Sequence, residues 1–143
     1  MRRAVMVLSG VIALPLYGQA AVDTAGMREA AREFLAGCED GARLWGQTLC
    51  GPMILVDPET RVAIATQQPE SGGFRVQGEL FAGVLPADVP LANTAIDWNG
   101  TRWSFVLAPL PTDPAQRRGL LFHEAFHRLQ PALGLDGPDR LNT

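Results

Sequence analysis

His123, Glu124 and His127 stand together in the pentapeptide His123-Glu124-Ala125-Phe126-His127, and no other part of the chain is as well suited to chemistry. On a helix, positions i and i+4 share a face, so both imidazoles can reach one metal ion. Both histidines of the protein sit in this motif. Glu124 lies about 100° round the helix axis from His123, close enough to hold a metal-bound water without being a ligand itself. Two imidazole ligands, an open coordination position and a carboxylate beside it are what metal-assisted hydrolysis requires. The cation activates water and a positioned base takes its proton.

The tract HEAFH resembles the HExxH signature of the zincin metallopeptidases, and the resemblance covers roughly the last third of the chain. It implies that His123 and His127 bind Zn2+, that Glu124 is the general base, and that the substrate is a peptide or protein. The local context agrees: Leu120, Leu121 and Phe122 are apolar, Ala125 and Phe126 are uncharged, and no proline interrupts the segment. The metzincin extension would need Gly at position 130 and His at position 133, where this chain has Gln130 and Leu133, so that branch is excluded. A gluzincin takes its third ligand from a glutamate on a later helix, but no glutamate follows Glu124. The later carboxylates, Asp136 and Asp139, could serve an aspzincin-like site. They fall in the turn-rich Gly134-Leu135-Asp136-Gly137-Pro138-Asp139, where little would hold a ligand rigidly. The tract HEAFHRLQPALGL also resembles part of larger secreted bacterial proteins with a gluzincin-type site. The expectation is therefore a gluzincin-like N-terminal fragment lacking its third metal ligand. Two alternatives stand beside the peptidase: a secreted binding or scaffold domain with a structural zinc or none, and a degenerate zincin with an incomplete metal site and no activity.

The other end of the chain bears on where it acts. Arg2 and Arg3 precede an apolar run from Ala4 to Tyr17, and Gly18, Ala20 and Ala21 follow. This order reads as a secretory signal peptide over residues 1–20, cleaved after Ala20. The run is short, and Gly10 and Pro15 interrupt it, so no stable membrane insertion is expected after cleavage. The expected location is secreted or periplasmic. Cleavage removes two arginines and no acids, moving the formal charge from −3 to −5. All 12 basic residues are arginine, and no basic stretch interleaved with aromatics suggests nucleic acid. The oligomeric state is not legible. In an oxidising compartment Cys38 and Cys50 can close an 11-residue intervening loop. Whether they bond depends on a Cα separation that sequence does not give.

Residues 21–143 are long enough for one domain with a modest core. The expected fold class is α+β and zincin-like, with an N-terminal helix, an antiparallel hairpin-rich sheet and then the HExxH helix. Met27, Ala30, Ala31, Phe34 and Leu35 mark one buried stripe on a helix from Ala25 to Leu35, closed by Gly37. Met53 to Val56 and Val62 to Thr66 are β-rich runs on either side of an Asp57-Pro58 turn, and Leu80 to Leu85 is a third strand after a loop containing Gly72 and Gly73. Asn99-Gly100 joins Thr94 to Trp98 and Thr101 to Ala108 as a tight hairpin. Trp98 and Trp103 near that turn either line a cleft or brace a sheet face, and cross-strand aromatics favour the second. Trp45 is expected to cover core. Asp113 suits an N-cap, Pro114 the first helical position and Gln116 the capping-box position, giving a helix from Pro114 to Gln130 that ends before Pro131. Leu120 and Phe126 are expected to anchor it to the sheet, with Arg117 too far from His123 to affect it. By resemblance, the strand around Ser104 to Leu107 is expected to be an edge that binds an extended peptide by strand addition.

Overall fold

A computed structural model describes residues 21–71 and 73–135. The signal peptide expected at residues 1–20, Gly72, and the candidate ligands Asp136 and Asp139 lie outside the described residues, as does the side chain of Trp45. The order is α1 (Thr24–Gly37), a 3-10 turn (Cys38–Asp40), α2 (Gly41–Trp45), β1 (Met53–Val56), β2 (Val62–Ala65), β3 (Arg75–Gln77), β4 (Leu80–Val84), β5 (Thr94–Trp98), β6 (Thr101–Leu107) and α3 (Pro114–Leu129). The result is a mixed α+β domain with a six-stranded sheet and a C-terminal helix. No helix among the described residues is long and apolar enough to cross a membrane.

The sheet order is β3-β4-β2-β1-β6-β5. Most neighbours are antiparallel, but β1 and β6 run parallel, with Met53 opposite Ser104 and Val56 opposite Leu107. The expectation of an antiparallel, hairpin-rich sheet is therefore corrected at the β1–β6 pair. The segment after β4 crosses the sheet and delivers β5 to the far edge, so the tight turn at Asn99-Gly100 brings β6 back inside it and parallel to β1. The turn itself forms as its sequence suggests: both residues take positive φ, 49° and 75°, the backbone of a two-residue type I′ loop. A second correction follows from the same order. β6 is hydrogen-bonded on both sides, so the strand from Ser104 to Leu107 offers no edge, and β5 is the outer strand on that side.

Alternation along the strands divides the core into two layers. One face of the sheet turns Met53, Leu55, Ile64, Leu80 and Val106 towards α1 and α3, which contribute Met27, Ala30, Ala31, Phe34, Leu121, Ala125 and Leu129. The other face packs Ile54, Val56, Phe105 and Trp103 against Phe74, Leu85 and Val89. Trp98 and Trp103 lie on this second face with ring centroids 6.3 Å apart, so they brace the sheet and stand away from α3. The helical stripe read from α1 is the one buried, except that Leu35 is only half-buried. On α3 the anchors are Leu121, Ala125 and Leu129, spaced by four; the expected Leu120 and Phe126 flank them half-buried. Asp113 caps α3, its Oδ1 accepting from the Gln116 amide at 2.9 Å. Arg117, expected to lie too far from His123 to affect it, donates from Nε to Glu33 Oε2 at 2.9 Å and so fastens α3 to α1.

Candidate metal centre

The buried stripe of α3 sets the orientation of the motif. It turns Leu121, Ala125 and Leu129 onto the sheet, so the His123 and His127 side points outward, with His123 exposed and His127 half-buried. Glu124 falls at the boundary between these faces and is 3% exposed. The three expected residues do come together: one donor atom from each of His123, Glu124 and His127 lies within 4.8 Å of the others. The structure thus places a His-Glu-His group at metal-binding distance.

The ring geometry specifies which nitrogens converge. His127 Nε2 and His123 Nε2 are 2.9 Å apart, and the rings meet edge to face at 85°. The other nitrogen of His127, Nδ1, is 2.6 Å from Gln130 Oε1. A carbonyl oxygen can only accept, so Nδ1 must carry the proton and donate it. In the neutral ring this tautomer leaves the Nε2 lone pair directed at His123, the form a metal ligand needs. The 2.9 Å contact is then satisfied by His123 Nε2–H donating to His127 Nε2, a proton that a bound cation would replace. In the sequence Gln130 stands out only as a departure from the metzincin extension. Its position, three residues after His127 on the same helix face, is the signal that could have identified it.

Glu124 is the electrostatic centre of the group. Its Oε2 is buried without a hydrogen-bond partner among the described residues. An unpartnered buried carboxylate oxygen is costly, and such atoms are rare unless a water or ion completes them. Burial pushes the carboxyl above its ordinary value of 4.5, while the nearby imidazoles of His127 and then His123 pull it down. A carboxyl raised in this way is a stronger base than a free one when it ionises.

The disulfide loop supports the site from the side. Cys38 and Cys50 are bonded, with Cα atoms 4.8 Å apart. Arg128, next to His127, donates from a terminal nitrogen to the Cys50 carbonyl at 2.8 Å and to the Leu49 carbonyl at 3.4 Å. Burial lowers the pKa of this guanidinium, and the two carbonyls give its charge partners. Sequence reading missed this tie, because 78 residues separate Arg128 from Cys50. Comparison with protein families, with curated proteins and with solved structures returned no match.

Proposed function

We propose that this chain is a zinc-dependent metallopeptidase, with His123 and His127 as zinc ligands and Glu124 as general base. The observation that carries the reading is the convergence of the two Nε2 atoms beside a buried, unpartnered Glu124 carboxylate oxygen. The donors suit the ion: His123 Nε2 and His127 Nε2, 2.9 Å apart, would hold zinc after a small separation of the rings, with the Glu124 carboxylate beside them. Zinc bound here would supply the Lewis acid that activates water and polarises the scissile carbonyl.

The chain's own groups do the rest. Glu124 Oε2 accepts the proton of the attacking water and returns it to the leaving amine. Gln130 holds His127 in the tautomer that binds metal, and Leu121 and Ala125 hold the helix under the site. An extended peptide substrate would pair with the outer edge of β5, which has no neighbouring strand among the described residues and lies beside α3 on the outer side of β6. The disulfide accords with export to an oxidising, secreted or periplasmic location. The competing reading, a scaffold domain with a structural metal, draws on the same short distances, since Glu124 itself stands within ligand range.

The test is hydrolysis of an unfolded protein by the zinc-loaded chain. Cleavage should stop on chelation and return on adding zinc; equal cleavage with and without chelator, or none in either state, contradicts the proposal.

A further inference from the structure

We propose that the cavity beside His123 receives a large apolar side chain of the bound peptide, and that Gly119 sets its size; this deepens the peptidase reading and rests on it. The cavity has a volume of about 430 Å3 and lies between α3 and the loop closed by the disulfide. Leu44, Leu49, Phe122 and Phe126 form apolar walls, and His123 forms part of the same lining. Its volume is in the range of about 300 to 1,000 Å3 usual for ligand pockets. The two charged residues that reach it, Asp40 and Arg118, are both exposed, so neither places an unsolvated charge inside. Leu44 is 81% exposed, a large apolar side chain left in water that an occupant would cover.

Gly119 points to a built pocket. It lies one turn before His123 on the same helix face. A Cβ placed there would meet nothing within 4 Å. The neighbouring glycines differ: at Gly37 a Cβ would come within 3.1 Å of the Phe122 ring, and at Gly41 within 2.5 Å of Leu49. A side chain at 41 would overlap Leu49 and one at 37 would crowd the Phe122 ring, whereas one at 119 would meet no neighbour. Glycine is unfavourable in a helix interior relative to alanine. What it leaves at 119 is space, open beside a candidate metal ligand. A side chain entering that space brings the adjacent peptide bond to the His123 face.

The experiment is an NMR titration of the protein, metal-free and zinc-loaded, with N-acetyl-phenylalanine amide and with N-acetyl-alanine amide. The phenylalanine probe should bind about tenfold more tightly in both states, as burial of the larger apolar surface requires. Gly119→Leu should abolish the preference, and Gly119→Ala, which no neighbour obstructs, should reduce it in part; should Gly119→Leu fail to fold, Gly119→Ala with Leu44→Ala decides. Equal binding of the two probes, or an undiminished preference in folded Gly119 variants, overturns the inference. Zinc binding without a probe preference would overturn the cavity's role alone. A preference without zinc binding would support the cavity and count against the metallopeptidase reading.

Discussion

Glu124→Gln should lower kcat for peptide hydrolysis by about 10²- to 10⁴-fold, the usual contribution of a positioned general base, while zinc stays bound. The amide keeps the shape and the hydrogen-bonding reach of the carboxylate but takes up no proton at neutral pH. Elemental analysis beside steady-state kinetics separates the two outcomes. If zinc is lost with activity, Glu124 is a ligand and the scaffold reading gains. Retained hydrolysis at wild-type rate would remove Glu124 from the mechanism.

The same substitution should stabilise the metal-free protein at neutral pH. Burial raises the carboxyl above its ordinary value of 4.5. Between that value and the folded-state pKa, the folded chain holds more protons than the unfolded chain, so this residue makes stability fall as pH rises through the window. Above the window the penalty is fully present, and glutamine removes it. The Tm of Glu124→Gln should therefore exceed that of the parent at pH 7, and the difference should shrink on acidification. A site in which the catalytic group is a liability to the fold is a common form of the trade between activity and stability.

Leu121→Ala should destabilise the metal-free protein by about 2–5 kcal/mol. Leu121 is fully buried between α3 and the sheet, in the cluster that includes Val106, Met53 and Phe34. The loss is a large fraction of the roughly 5–15 kcal/mol that holds an ordinary domain together. It should appear as a lower urea midpoint with an unchanged m-value. Leu121→Met, which conserves volume, should cost less than about 1.5 kcal/mol. Zinc should restore part of the lost stability by binding only the folded chain. A loss below that of the Met variant would mean that α3 is not anchored through this residue.

Much of the fold was legible because its signals are local. Asp113-Pro114 marks the start of α3 through a cap and a fixed φ, and Asn99-Gly100 marks the hairpin through two residues that tolerate positive φ. The stripe on α1 and the i, i+4 pairing of His123 with His127 follow from the helical period alone. Strand order is different in kind. The parallel pairing of Met53 with Ser104 joins segments 51 residues apart, and neither strand's own sequence records its neighbour. The edge position that the resemblance implies for Ser104 to Leu107 is occupied by β5 instead, a difference no local signal in β6 reveals. The three-residue β3, exposed throughout, carries no hydrophobic alternation to find it by. Arg117 and Glu33, 84 residues apart, were invisible as a pair for the same reason. Gln130 was within reach of sequence reasoning, since a residue at i+3 from His127 shares its face.

Zinc content by elemental analysis, on the protein and on its His123→Ala variant after equilibration with zinc and removal of excess, tests the central claim most directly. One zinc per chain, lost in the variant, is the result this account predicts. No zinc in either protein, or equal zinc in both, would contradict it and leave His123 and His127 on the outward face of an ordinary helix, with Glu124 buried beside them.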